Sequence, residues 1–328
     1  MNIKKIGLTA LAASLVSVSA NAGEMTISGA ASVGIGGYSG DRTNSGTSFT
    51  MGNQFTVSGG GELDNGLNVS LSYQLDNGTG NAAGAGPFDD HSITISSDEI
   101  GTIKFSGHGG SSATSAMDAT AAGDLWGSFD EMSSTLGVAG MDMAAAGGTD
   151  NSIYYTAPSM VDGLTINASY NPQRGSGTTG AESEMGYGFA YTGVEGLTLK
   201  YATADKNTGT TATSGEQTAW HVSYVFGPIT ASMTGSDYDM STSTNDQESS
   251  SYALAYTVSD EISVKYGVET HDSGTANDQD AEYTGVSVSY TAGGMTITGK
   301  MQEGENVDFS TNSQADVEYW FLGAAFAF

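Results

Sequence analysis

Apolar and polar residues alternate one for one along most of this chain. In "GLNVSLSYQL", Leu67, Val69, Leu71, Tyr73 and Leu75 fall on one face, and Asn68, Ser70, Ser72 and Gln74 on the other. In "GLTINASY", Leu164, Ile166, Ala168 and Tyr170 oppose Thr165, Asn167 and Ser169; in "MGYGFAY", Met185, Tyr187, Phe189 and Tyr191 oppose glycines and Ala190. A period of two is that of an extended strand, whose successive side chains point to opposite faces. Sixteen such segments begin near residues 24, 48, 66, 90, 101, 150, 163, 184, 196, 216, 228, 248, 261, 281, 294 and 316. Most are about ten residues long, the length a tilted strand needs to cross a bilayer.

The connections alternate as well. Seven are short and rich in Gly, Asp and Asn, such as "LDNG" (63–66), "GVEG" (193–196) and "AGG" (292–294). Eight are long and polar, such as "NPQRGSGTTGAESE" and "SDYDMSTSTNDQE", and the longest runs from Gly109 to Thr149. Tight turns at one end and long loops at the other predict an all-β, 16-stranded antiparallel transmembrane β-barrel. A soluble sandwich would bury the same aromatics but would not segregate its connections in this way. The last segment, "VEYWFLGAAFAF", places Trp320, Leu322, Phe326 and Phe328 on one face. Pairing it with the first strand closes the sheet and leaves no edge. Phe326 and Phe328 then mark the inner membrane interface, and Trp220 and Trp320 the outer one.

Composition narrows the picture. Residues 1–22 carry Lys4 and Lys5, an apolar run from Ile6 to Val18 and the small-x-small site Ala20-Asn21-Ala22, the pattern of a cleaved secretory signal peptide. The apolar run is too short for a spanning helix, which needs about 20 residues. The mature chain, 23–328, sets seven basic residues against 37 acidic ones. Such acidity argues against nucleic acid as a partner. There are no cysteines, so an exported chain relies on no disulfide. Hydrophobic content is only 38%, although tyrosine and phenylalanine number 16 and 11. A membrane protein of this composition spans as a closed barrel.

The signal peptide, the mature start "GEMTISGAASVGIGGY", the long fifth connection and the terminal Phe328 together resemble the Gram-negative general porin family, in its alphaproteobacterial, Rhodobacter-type branch of 16-stranded trimeric porins. The resemblance covers the whole mature chain. It implies an outer-membrane channel for passive diffusion of small hydrophilic solutes and ions, not an enzyme, exported through the periplasm. It also implies a homotrimer in contact with the lipid bilayer and lipopolysaccharide, a third extracellular loop folded into the lumen, and a terminal strand read by the barrel-assembly machinery. Trp320, Leu322, Phe326 and Phe328 would carry that assembly signal. Small outward residues on the first strand, Gly29 and Ala31, suit a subunit contact.

The third long loop, about 109–149, is far longer than ordinary connections and is expected to be functional. Leu125, Trp126, Phe129 and Met132 suit a short helical turn with an apolar face. Asp118, Asp124, Asp130, Glu131 and Asp142 would place carboxylates in the pore as an acidic constriction. Lys104, Lys200, Lys265 and Lys300 share the parity of their polar neighbours and so face the lumen. Each lies about three to six residues beyond a short turn, or roughly 7–14 Å of height on a tilted strand. Acids and lysines across a water-filled gap would set up a transverse field that orients polar solutes. The lumen-parity histidines His108, His221 and His271 form no short-spaced metal signature, and no cofactor is implied. Ca²⁺ at acidic loop segments such as "SDYD" (236–239) and "DQDAE" (278–282) is compatible with hard oxygen ligands. Three alternatives stand beside the diffusion channel. One is a substrate-selective channel, with lysines capturing anions or Tyr154, Tyr283, Tyr319 and Phe321 guiding sugars. The others are a barrel enzyme and a surface adhesin.

Overall fold

The computed structural model describes residues 25–40, 46–76, 88–117, 120–129, 150–172, 183–207, 214–242, 246–272, 279–309 and 316–328. The signal peptide read in residues 1–22 lies outside them.

The strands are β1 (Thr26–Gly40), β2 (Thr47–Glu62), β3 (Asn68–Asp76), β4 (His91–Ser97), β5 (Gly101–His108), β6 (Ser152–Thr156), β7 (Leu164–Asn171), β8 (Glu184–Tyr191), β9 (Leu197–Lys206), β10 (Gly215–Phe226), β11 (Ile229–Met240), β12 (Gln247–Thr257), β13 (Ile262–Asp272), β14 (Ala281–Ala292), β15 (Met295–Glu305) and β16 (Val317–Ala327). Every start falls within two residues of the position expected from alternation. Lengths vary more, from five residues in β6 to 16 in β2. Each strand pairs antiparallel with its neighbours in sequence, and β16 returns to β1, so the sheet is a closed barrel. At the seam the Gly29 N–H donates to the Phe328 carbonyl at 2.8 Å, and the Phe328 N–H to the Gly29 carbonyl at 3.0 Å. The Phe328 ring covers the outer face of Gly29, where a Cβ would stand 2.4 Å from it.

The two faces of the wall have opposite chemistry. On β8, Glu184, Gly186 and Gly188 are buried, while Met185, Tyr187 and Phe189 are exposed on the outside. Tyr252, Leu254 and Tyr256 on β12 and Trp320, Leu322 and Phe326 on β16 repeat this exposure. In water a contiguous apolar patch rarely exceeds a few hundred Å². Here apolar side chains ring the barrel, and hydrocarbon is the solvent that suits them.

The pairing is stepped from strand to strand. A row square to the strands runs from Lys104 through Tyr154, Ser169 and Gly186 to Ala204, four residues past Lys200. A second row runs from Lys200 through His221, Thr234 and Ser251 to Glu269, four residues past Lys265. The stagger is thus one residue per strand. With ~3.3 Å of rise against ~4.8 Å between strands, the strands tilt by about 35°. Lys104, Lys200 and Lys265 each stand three residues after the start of their strand, and Lys300 stands five after. The tilt therefore brings the four to similar heights.

Candidate functional site: the inner loop and its wall

The described part of the connection from β5 to β6 does not extend away from the barrel. Its described residues lie along the inward, polar face of the later strands. The Ala113 N–H donates to Ser169 Oγ at 2.9 Å, and Lys200 Nζ donates to the Met117 carbonyl at 3.3 Å. Three further N–H groups follow: Ala121 to Thr234 Oγ1 at 2.9 Å, Ala122 to Ser251 Oγ at 2.7 Å, and Leu125 to Glu269 Oε2 at 2.8 Å. Thr234, Ser251 and Glu269 are consecutive members of the second row described above, on β11, β12 and β13. The segment thus crosses the strands squarely, and inward side chains accept from peptide donors that a buried irregular segment would otherwise leave unpaired.

Small residues make room for it. A Cβ at Gly267 would stand 2.7 Å from the Ala122 Cβ and 3.0 Å from its Cα, and one at Gly186 would stand 3.0 Å from the Ala113 Cβ. Ala113 and Met117 are buried against Ala202 and Ala219. The inward glycines and alanines thus form a shelf for the loop.

The far end of the segment is anchored by apolar burial. Trp126–Ser128 forms one 3₁₀ turn, as the apolar spacing suggested. Met132, the fourth residue of that reading, lies outside the described residues. Leu125 and Phe129 are buried with Tyr283, Val307 and Val317. The Phe129 ring centroid is 5.3 Å from that of Tyr283 and 6.2 Å from that of Tyr319, and Tyr38 Oη donates to the Ser128 carbonyl at 2.5 Å. Tyr283 and Tyr319, weighed from sequence as a guide for sugars, are instead engaged in holding the loop. Tyr154 shares a row with Lys104, and Phe321 lies beneath Lys300.

Charge concentrates at the bend. Glu269 is fully buried, and its second oxygen lies 2.7 Å from His271 Nε2. His271 is buried too, its ring edge-on to Trp126 and Tyr283. Asp124 holds a left-handed backbone (φ 58°), and its Oδ1 accepts the Gly127 N–H at 3.3 Å. Burial pushes the Asp124 carboxyl above the ordinary aspartate value, and the nearby Glu269 charge adds to this; the Gly127 hydrogen bond, His271 and Lys300 pull the other way. Asp118, Asp130, Glu131 and Asp142 lie outside the described residues.

The lysines divide into groups. Lys200 binds the loop itself, and the Lys265 ammonium packs under Gly123, where a Cβ would come within 2.8 Å of Nζ. Lys300 lies 6.0 Å from the Phe321 ring centroid. Lys104 stands on β5, beside Thr94 and Tyr154. Two of the four thus touch the acidic loop from the wall it rests on, rather than facing it across open space. Strand β9 also reaches a fifth lysine, Lys206, whose Nζ is 5.4 Å from the Tyr238 ring centroid.

Sequence reasoning missed Glu269 and the glycine shelf, and it placed His271 on the lumen face without assigning it a part in holding the loop. The available signal was parity: Glu269 and His271 share the inward phase of Lys265 on β13. At the outer rim His108 lies 3.2 Å from Asp90 and 3.8 Å from Asp150. Asp89, Asp90 and His108 are the one grouping with metal-ligand spacing among the described residues. Outside the barrel, carboxylates face each other directly across strands: Glu216 and Asp239, Asp237 and Glu248, Glu248 and Asp272, Glu282 and Glu305, Glu303 and Glu318. Like charges so placed destabilise a sheet unless something neutralises them.

Comparison with known proteins places this architecture. Residues 7–328 match the family model described as Gram-negative porin. No curated protein sequence matches the chain. Among solved structures, a mutant porin of Rh. blastica is 16% identical, with a TM-score of 0.67 over 93% of this chain and 100% of that one. An anion-selective porin of Comamonas acidovorans is 19% identical, with a TM-score of 0.66 over 93% and 99%. A loop-deleted outer-membrane protein of Vibrio cholerae is 15% identical, with a TM-score of 0.63 over 93% and 99%.

Proposed function

The chain belongs to the Gram-negative porin family, and from that membership we propose that its inner loop, together with the wall it rests on, forms the neck that sorts permeating solutes. As a porin it is an outer-membrane channel for passive diffusion of small hydrophilic solutes and ions, not an enzyme. The observation that carries the proposal is the row of three wall acceptors, Thr234, Ser251 and Glu269, that ties the loop across the inner face. Asp118, Asp124, Asp130, Glu131 and Asp142 supply the acidic side of the neck. Lys104 supplies charge from the wall ahead of the loop. Lys200 and Lys265 brace the loop from beneath, and Lys300 stands beside them.

The test is single-channel recording in a salt gradient. Replacing Lys104, Lys200, Lys265 and Lys300 with glutamate shifts the reversal potential toward cation preference. Unchanged selectivity removes these residues from the neck, and correctly inserted protein that passes no current removes the channel reading itself.

The remaining assignments are proposals of the same standing. Residues 1–22 direct export through the periplasm and are cleaved. The face carrying Trp320, Leu322, Phe326 and Phe328 is the signal for the barrel-assembly machinery. The protein is a homotrimer set among lipopolysaccharide. Ca²⁺ bridges the opposed outer carboxylates, among them Asp237, Asp239 and Glu282 from the two segments singled out in the sequence; chelation should then lower the unfolding temperature.

A further inference from the structure

At the outer rim the connection into β4 meets both ends of the inner loop, and four polar side chains gather there. On the β4–β5 ladder Ser92 pairs with Ser106 and His91 with His108, so Gly107 is an extra residue. A bulge of this kind re-aims a side chain. His108 Nδ1 lies 3.2 Å from Asp90 Oδ1, and its Nε2 lies 3.8 Å from Asp150 Oδ2. One ligand atom from each of Asp89, Asp90 and His108 lies within 4.8 Å of the other two. The backbone around them is held. The Asp89 N–H donates to the Gln74 carbonyl at 2.9 Å, and the Gln74 N–H to the Asp90 carbonyl at 2.8 Å. Asn171 Nδ2 donates to the Asp150 carbonyl at 2.8 Å. Gly109, left-handed at φ 63°, leaves the space that the Asp90 carboxylate fills, where any Cβ would collide with it.

We propose that Asp89, Asp90 and His108 bind one divalent transition metal of the zinc class, with Asp150 orienting the imidazole from its far side. The separation of His108 and Asp90 is that of a chelate. Zinc sits about 2.0–2.1 Å from imidazole nitrogen and about 2.0–2.2 Å from carboxylate oxygen, so neighbouring ligands on one ion stand roughly 2.8–3.5 Å apart between octahedral and tetrahedral angles. Asp89 completes the set by a change of side-chain rotamer. A ligating imidazole gives its other ring N–H to a carboxylate, which fixes its tautomer and raises its basicity. Asp150 stands on the Nε2 side for that purpose. A nitrogen among the donors favours zinc, nickel or copper over calcium and magnesium, which take oxygen. The side chains of His108 and Asp90 are 51% and 41% exposed, so water fills the remaining positions. The competing arrangement is a protonated His108 paired with Asp90 and Asp150 and no metal at all. A bound ion, unlike that pair, ties the connection before β4 to the foot of the inner loop through Asp89 as well.

The test is calorimetric titration of the full, metal-stripped barrel with Zn²⁺, in excess Ca²⁺ to fill sites made of oxygen alone. The site predicts saturable uptake of one Zn²⁺ per chain. His108→Ala removes it, Asp90→Asn weakens it at least about tenfold, and Asp150→Asn, acting through the imidazole, weakens it about tenfold to a hundredfold. His91→Ala leaves it within about twofold, because that ring packs on Gly107 and lines a separate cleft with Tyr73 and Phe105. Diethyl pyrocarbonate labelling of the unmutated barrel, read by peptide mass, needs no variant to fold: Zn²⁺ should block reaction at His108 and Ca²⁺ should not. Three results would each overturn the metal site: no saturable Zn²⁺ uptake by the wild type, uptake that survives His108→Ala, or equal labelling of His108 with and without Zn²⁺.

Discussion

Replacing Glu269 with alanine removes the central tether of the inner loop. Its carboxylate is fully buried and accepts from the Leu125 N–H at 2.8 Å on one oxygen, while its other oxygen lies 2.7 Å from His271 Nε2. A hydrogen bond to a charged group contributes about 1.5–3 kcal/mol, and a buried donor left unpaired costs about 1–3 kcal/mol. Alanine loses the first and creates the second at Leu125, and it also strands the His271 ring, whose Nδ1 is already buried without a partner. The Ala121 and Ala122 tethers, to neutral hydroxyls, are worth about 1 kcal/mol each. The loss at Glu269 therefore exceeds what the other two supply together. It changes the ratio of seated to released loop by more than about a hundredfold. Single-channel recordings of Glu269→Ala should show larger conductance, added current noise and weaker ion selectivity. Glu269→Gln keeps a carbonyl for Leu125 and gains a donor for His271, and should remain near wild type. Wild-type conductance, noise and selectivity in Glu269→Ala would refute the claim that this carboxylate holds the loop in place.

Further outcomes follow from the same site. Because Asp124 binds its proton more tightly in the folded protein than an ordinary aspartate near 3.8, its ionisation opposes folding above its raised pKa, and that penalty is relieved as pH falls through it. Cation preference should therefore begin to decline at a higher pH than loss of ordinary carboxylates would give, and Asp124→Asn should abolish that early decline in reversal-potential measurements without loss of thermal stability. Gly267→Val would drive a side chain into the backbone of Ala122 and should cost about 1–3 kcal/mol of loop seating, read as noisy current in a barrel that still resists heat. Phe129→Ala, emptying the buried contact with Tyr283, should cost about 3–5 kcal/mol and release the loop tip, read as faster proteolysis of residues 109–149. A bulky residue at Gly29 displaces the Phe328 ring, so Ala31→Leu is the cleaner probe of a subunit contact on β1; unchanged oligomers on a gel would exclude that contact.

The legible part of the site is the part that depends on parity. Lys104, Lys200, Lys265 and Lys300 were placed on the inner face, and at similar heights, by alternation and distance from the turns. The stepped register agrees, because stagger and strand starts advance together. What parity could not supply was the loop's path. Tyr283 reads from sequence as an open lumenal aromatic, yet Phe129 covers it, and the two lie 154 residues apart in the chain. Glu269 and His271 read as two more polar positions until Leu125 and Trp126 are set against them.

The sequence by itself determined that sixteen strands close into a cylinder, apolar outside and polar within, with short turns at one end and long loops at the other. That follows from local physics: side chains alternate along an extended backbone, and every backbone polar group in hydrocarbon must be paired within the sheet. The tertiary structure alone decided which wall the inner loop covers, which lysines it covers with it, and that a buried glutamate fixes its position. Those outcomes depend on contacts between residues tens to more than a hundred positions apart, and they turn on whether an inward side chain is small enough to make room or polar enough to accept a hydrogen bond.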